Sequence, residues 1–200
     1  MLRYLTAGES HGRALTAILE GMPAGVPVTE EDVNKELARR QKGYGRGARM
    51  MIETDRAQIS SGVRWGETFG APITLTIVNK DWEKWSKLLS VEPGDRDESK
   101  RVIKPRPGHA DLVGMLKYDR KDAQEILDRA SARETAARVA VGSVCRQLLK
   151  AFGIEVYSFV RELGPHKMDL TKLQGHSKDQ IVSATEASEV RCPDAGVATA

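Results

Sequence analysis

Two histidines stand in turns, one bounded by glycines and one fixed by Pro-Gly, where a ring can reach a ligand. His11 lies in Gly8-Glu9-Ser10-His11-Gly12, and His109 lies in Arg106-Pro107-Gly108-His109-Ala110-Asp111. Imidazole titrates near neutrality, so each is a candidate general acid to a departing phosphate or an anionic intermediate. For His11 the plainer alternative is an exposed turn histidine with no chemical role. The first turn also spells G-x-S-x-G, the nucleophile elbow of many serine hydrolases, which would make Ser10 the nucleophile. That elbow needs a strand-to-helix turn, whereas Arg13–Met22 reads as a strand with Pro23 close behind. His166 and His176 sit in unpatterned polar sequence and read as solvated.

Anion-binding chemistry is the second theme. Arg39, Arg40, Lys42, Arg46 and Arg49 follow one another with no acid among them, and Lys100, Arg101, Lys104 and Arg106 form a second basic cluster. Guanidinium groups fork onto two oxygens of a phosphate or carboxylate. The loop Gly43–Arg49 is glycine-rich but has neither the P-loop ending nor the dinucleotide-binding spacing. Three readings stay open for it: an anion site, a solvated basic turn, or an RNA-binding arm. Aromatic residues are only 5% of the chain and Tyr44 stands alone there, so base-stacking platforms are scarce. Arg129-Ala130-Ser131 precedes a long helical pattern, and helix N-termini seat anions. Arg129 and Arg133, four apart, can face one anion. Equally, Ser131 can simply cap while Arg129 pairs with Asp128 or Glu125.

The elements that must position these residues follow from periodicity. Leu2–Ala7 and Arg13–Leu19 read as strands flanking the first turn. Thr29, with Asp32 three residues on, caps a helix whose apolar positions are Val33, Leu37 and Ala38; Gly43 and Gly45 stop it. Residues Met50–Ile59 read as extended, and Ile73, Leu75 and Ile77 alternate along a strand over Pro72–Val78. Residues 81–104 lose all pattern and read as a long loop or flap. The spacing of Ala137, Val141, Val144, Cys145, Leu148 and Phe152 predicts a helix from a capping box at Ser131–Glu134 to Gly153. A strand over Ile154–Arg161 should follow. Cys145 falls on the apolar face of that helix and reads as core filler, and the pair Cys145 and Cys192 makes neither a disulfide framework nor a metal site.

This order of elements predicts an α+β fold. A chain of 200 residues, 40% apolar and 30% charged with net charge +3, has the profile of a globular protein with room for one core. Apolar runs are too short to span a bilayer and the N-terminus shows no signal core, so a cytoplasmic location is expected.

Together these segments resemble the chorismate synthase family. Gly8-Glu9-Ser10-His11-Gly12 is similar to the family's N-terminal signature and Arg129-Ala130-Ser131-Ala132-Arg133-Glu134-Thr135 to its second. Arg39–Gly47, Ser61-Gly62-Val63-Arg64 and Arg106–Asp111 also fit, in order along the chain. The resemblance implies a β-α-β sandwich, assembled as a homotetramer. It also implies an anti-1,4-elimination of phosphate from 5-enolpyruvylshikimate 3-phosphate to give chorismate, with reduced FMN required. His11 would protonate the leaving phosphate, and His109 would govern the flavin's protonation state. Ser10, Arg40, Arg46, Arg49, Arg106 and Arg133 would hold substrate; Arg129, Ala130 and Ser131 would hold FMN. Arg40 and Arg46 would bind NADP in members that reduce their own flavin. Family members are about twice this long, so residues 1–200 are expected to form the N-terminal portion of one domain, without the half that supplies further flavin contacts and a catalytic aspartate.

Overall fold

A computed structural model describes residues 1–45 and 54–200. Its centre is a four-stranded antiparallel sheet. Strands β1 (Arg3–Ala7) and β2 (Ala14–Glu20) are the arms of the Gly8–Gly12 turn; β3 (Ala57–Ser61), a small ribbon of β4 (Val63–Arg64) and β5 (Glu67–Thr68), and β6 (Ile73–Val78) follow. The sheet order is β1-β2-β6-β3. The register pairs Tyr4 with Leu19 and Ala17 with Leu75, and a bulge interrupts β3 between Ile59 and Ser61.

Alternation decides which face is covered. Leu15, Ala17, Leu19, Ile73, Leu75 and Ile77 are buried on one side, while Ile18 and Leu5, out of phase with them, stay exposed on the other. Helices α1 (Glu30–Gln41) and α5 (Thr135–Ala151) lie on the buried side, packed on each other and on β2, β6 or β3. Ala136, Ala137 and Ala140 lack bulk, so α5 approaches closely, and Val141 and Val144 fill the space left. Each large apolar side chain buried here stabilises the fold by about 1.5–3 kcal/mol. The result is two layers, sheet and helices, of the expected α+β class; besides the β4–β5 ribbon, Glu162–Leu163 pairs with His166–Lys167 as a second two-stranded ribbon.

Thr29 caps α1 with a full capping box through Asp32, as its spacing predicts, and Val33 and Leu37 are buried. Ala38 is exposed and Asn34 takes the third buried position. Asn34 Oδ1 accepts from the Ala57 N–H at 2.8 Å, so an amide bonding to β3 displaces the alanine that hydropathy alone selects.

Three other expectations are corrected. The long helix begins at Thr135, after a 3-10 turn over Ala132–Glu134. Ser131 caps that turn, accepting from the Arg133 N–H at 3.3 Å, and the expected box does not close because Glu134 turns to Thr6 and Arg138 instead. Residues 154–161 form no strand. Ile154, Val156 and Tyr157 are exposed, and β-branched residues hold a strand only with an edge to pair and a surface to pack on. The 81–104 stretch is less bare than its sequence suggests: it carries α2 (Trp82–Trp85) and single 3-10 turns at Pro93–Asp95 and Glu98–Lys100.

Beyond it lie α3 (Asp111–Tyr118), α4 (Gln124–Leu127), α6 (Lys178–Ala187) and α7 (Ala195–Ala198). Cys145 packs half-buried against the core, where burial pushes its thiol up, and Cys192 is buried with Sγ 4.0 Å from Met168 Sδ. No helix among the described residues is long and apolar enough to cross a membrane.

Candidate functional site

The turn between β1 and β2 is built to hold two side chains in place. Gly8 has φ +97°, and a Cβ there would meet the Ala14 carbonyl oxygen at 2.2 Å, so only glycine lets the chain fold back this tightly. Asn79, just past β6, clamps the turn from below. Its amide donates to the Glu9 carbonyl at 3.1 Å and the Gly12 carbonyl at 2.6 Å.

Between those anchors Ser10 and His11 meet Asp128, the residue that follows α4. The Ser10 N–H donates to the Asp128 carbonyl at 2.9 Å. Ser10 Oγ donates to Asp128 Oδ1 at 2.7 Å, and His11 Nδ1 lies 2.6 Å from the same oxygen and 2.9 Å from Ser10 Oγ. Gln124 Nε2 donates to Asp128 Oδ2. The Asp128 side chain is 1% exposed; that of His11 is 22% exposed, with its ring 4.2 Å from Trp85 at a 43° tilt. His11 is thus less open than a bare turn histidine, because a carboxylate and an indole fix it on two sides.

Ser10, His11 and Asp128 have the residue types of a hydrolytic triad but not its geometry. The Ser10 hydroxyl gives its proton to the aspartate, and Ser10 is only 1% exposed. A triad needs the serine proton directed at the histidine and the aspartate on the ring's far nitrogen. The turn also joins two strands, not a strand and a helix. The hydrolase reading fails on both counts.

Behind the turn lies a buried ionic network. Arg133, with a side chain 5% exposed, forms an ion pair with Asp55 and donates from Nε to Asn79 Oδ1 at 3.0 Å. Arg40, at the C-terminal end of α1, donates to Thr135 Oγ1 at 2.9 Å and to the Ala132 carbonyl at 3.1 Å, and lies 3.4 Å from Asp55 Oδ2. One chain of contacts therefore runs from Arg40 through Asp55, Arg133 and Asn79 to the turn that carries His11.

Arg129 and Arg133 do not converge on one anion. Arg129 reaches β1, donating to the Thr6 carbonyl and hydroxyl at 2.8 Å each, with Glu134 at 3.8 Å. It pairs with neither Asp128 nor Glu125. Burial pushes the Glu134 carboxyl up, but the Thr6 hydroxyl and the Arg138 and Arg129 cations outweigh it and leave it below the usual carboxylate range. Arg129 keeps 41% of its side chain exposed, Ala130 is exposed, and Ser131 is half-buried.

Arg106, His109 and Asp111 form a separate cluster at the start of α3. Asp111 accepts from the Arg106 N–H at 2.9 Å, from Arg106 Nε at 3.1 Å, and from His109 Nδ1. Arg106 Nη2 lies 3.2 Å from His109 Nε2. The cluster reaches the first site only indirectly. Gly114 of α3 sits against Ile126 of α4, and α4 supplies the Gln124 amide on Asp128.

Burial raises the Asp111 carboxyl, but hydrogen bonds from Arg106 and His109 outweigh it and bring its pKa from 3.8 to about 2. A depressed carboxyl stabilises the fold above its unfolded value and loses that contribution as pH falls through its folded value. The melting-temperature gap between the protein and Asp111→Asn should therefore narrow from about pH 4 to about pH 2. A gap that stays constant to pH 2 would contradict the assignment.

Arg46 and Arg49 lie outside the described residues. In the same basic segment, Arg39 pairs with Glu36 at 2.9 Å and Glu186 at 3.3 Å. A wide groove of about 650 Å³ is lined by Lys35, Arg39, Arg146, Tyr157, Glu186 and Arg191, none of them in contact with His11. Its arginines are already neutralised by Glu36 and Glu186, so it is a poor match for a polyanion.

Comparison with known proteins decides what the two turns and the arginine-rich stretch belong to. The family model for chorismate synthase matches residues 2–200. This chain belongs to the chorismate synthase family. It is 64% identical over 164 residues to the chorismate synthase of Pelobacter propionicus, covering 82% of this chain and 42% of that protein. With the chorismate synthase of Geobacter sulfurreducens it shares 57% identity over 186 residues, 93% of this chain and 47% of the relative. A solved structure titled as a crystal structure of chorismate synthase superposes with TM-score 0.72 at 44% identity, covering 96% of this chain and 49% of that one. The chain spans about half the length of the curated relatives it matches. These matches give no support to an RNA-binding module or a serine hydrolase.

Proposed function

We propose that residues 1–200 form one part of a chorismate synthase. That enzyme eliminates phosphate from 5-enolpyruvylshikimate 3-phosphate to give chorismate, and further chain of the family's length completes the site. The observation that carries this reading is His11, held at the rim of a buried polar network beside Arg129–Arg133, in a chain that matches the family over residues 2–200.

The substrate bears a phosphate and two carboxylates, and cations must gather it from water. Arg40, Arg46, Arg49 and Arg106, with the Ser10 turn, are the residues we assign to it. Arg133 supports them from behind, since its side chain is buried and ion-paired with Asp55. His11 delivers a proton to the departing phosphate, meeting charge as it develops.

The exposed edge of Arg129, next to the small Ala130 and Ser131, fits the anionic tail of FMN, and we assign these three to it. Bound in its reduced form, FMN would supply electron density to the carbon that loses phosphate. His109, with its Nδ1 turned to Asp111, is assigned the proton exchange that sets the cofactor's charge. Arg40 and Arg46 are assigned to NADP if the protein reduces its own flavin. A cytoplasmic homotetramer goes with this reading, and light scattering checks the assembly.

Titration calorimetry of a chain of the family's full length with 5-enolpyruvylshikimate 3-phosphate tests the reading. Saturable binding is expected, and Arg46→Ala should weaken it by about 1.5–3 kcal/mol, the scale of a charge-assisted hydrogen bond. Arg46→Lys should recover only part, since an ammonium cannot fork onto two oxygens. Binding that is absent would remove the substrate assignment, and binding unaffected by Arg46→Ala would move the anion site elsewhere.

A further inference from the structure

We propose that Asp128 is the positioning residue for His11. It fixes the imidazole in the Nδ1–H form, so that Nε2 is the nitrogen that delivers the proton to the leaving group. The inference rests on the elimination proposed above, but its central observable is independent of that reaction.

An ionised carboxylate only accepts hydrogen bonds, so an imidazole nitrogen 2.6 Å from Asp128 Oδ1 must carry the hydrogen. The tautomer is therefore assigned from the partners of the ring, as it must be when hydrogens are not seen. Asp128 itself has little freedom. It is 1% exposed, its Oδ1 also takes the Ser10 hydroxyl, its Oδ2 takes the Gln124 amide, and its own carbonyl takes the Ser10 N–H. Two side chains and a backbone bond thus lock the carboxylate against Nδ1. Trp85 on the ring face limits rotation about the side-chain bonds. The same device recurs at the second candidate histidine, where Asp111, fully buried, holds His109 through Nδ1. Two unrelated turns that fix a ring by the same nitrogen argue that its orientation matters.

During elimination the imidazolium Nε2–H bond breaks, its proton forms an O–H bond on phosphate, and the electron pair of the breaking C–O bond leaves with phosphate; the C–H bond broken at the other end of the 1,4-system leaves its pair in the new diene and its proton to water. The ring is left as the neutral Nδ1–H tautomer that Asp128 stabilises. No side chain has to reorganise for this transfer. A ring in the opposite tautomer would turn the lone pair of Nδ1 toward the Asp128 carboxylate, which only accepts, and lose that hydrogen bond.

The test is a long-range ¹H–¹⁵N spectrum of the neutral histidines in the protein and in Asp128→Ala. Four histidines make His11 assignable through a His11→Gln control. The protein is expected to show His11 protonated at Nδ1, and Asp128→Ala to shift the proton towards Nε2. A protein whose His11 carries its proton at Nε2 overturns the proposal, and that spectrum decides even if Asp128→Ala does not fold. A folded Asp128→Ala that keeps the Nδ1–H form overturns it too.

The isosteric Asp128→Asn adds a kinetic readout in the active enzyme. Turnover should fall by at least tenfold, up to the roughly 10²–10⁴-fold associated with general acid catalysis, with KM and FMN affinity little changed. Unchanged kcat, or a loss of KM and FMN affinity together with kcat, would show a merely structural role. Should the protein make no chorismate at all, the proposed reaction fails while the spectra still decide the role of Asp128.

Discussion

In the proposed full-length enzyme, His11→Ala is expected to lower the rate of chorismate formation by about 10²–10⁴-fold while FMN and substrate still bind. The expectation follows from where the ring sits. Its backbone is held by the Asn79 clamp and the Ser10–Asp128 bond, so trimming the imidazole leaves the turn in place and removes chiefly a proton donor. The loss should therefore appear in turnover and not in KM. Ser10→Ala should be milder. It removes one of the hydrogen bonds on Asp128 Oδ1 but leaves the His11 contact, and the protein should not react with a fluorophosphonate, because the Ser10 hydroxyl is buried and donates to a carboxylate. Stopped-flow measurement with pre-reduced FMN checks the order. Wild-type turnover in His11→Ala would show that the turn is only structural.

Asp55→Ala is the change expected to cost the most stability, about 3–5 kcal/mol, the range for removing one partner of a buried ion pair. Asp55 is buried and answers Arg133 and Arg40 from its two oxygens. Without it the Arg133 guanidinium stays in a 5% exposed position after losing a buried counter-charge. The damage should spread to the site, because Arg133 positions Asn79 and Asn79 clamps the His11 turn. Denaturant melts give the stability term, and loosening of the turn should show as a changed Trp85 environment. A loss under about 1 kcal/mol would mean that the pair behaves as a solvated surface bridge.

Much of this was legible because local patterns have local causes. The Thr29 box, the Ile73–Ile77 alternation and the apolar stripe of the long helix each follow from residues within one or two turns, and all three form, except that Phe152 ends the stripe outside the helix and is exposed. Residues 154–161 carry a strand's composition, but a strand also requires a neighbour, which composition cannot supply. Ser131–Glu134 has the letters of a capping box, but Glu134 is taken by Thr6 on a strand 128 positions away, a contact outside any local window.

The site shows the same division. His11, His109 and the arginines stood out as residue types in turns and clusters. In the sequence Asp128 stands out only as a partner for Arg129, and Asn79 and Asp55 give no signal, since one polar residue at a strand end or in an extended stretch has no periodic signature. Asn79 sits where β6 runs out beside the β1–β2 turn, and the pairing of Ala14 with Val78 puts it there. Only the sheet register makes that neighbourhood visible.

The most direct test of the central claim is an anaerobic assay of the enzyme containing residues 1–200 within a chain of the family's length. Inorganic phosphate and chorismate are measured together from 5-enolpyruvylshikimate 3-phosphate, with reduced FMN, oxidised FMN or neither. The account predicts phosphate and chorismate in equal amounts with reduced FMN, and neither product without it. Phosphate released without chorismate, or at the same rate in the absence of reduced FMN, would mean that the turn bearing Ser10 and His11 serves hydrolysis and not elimination.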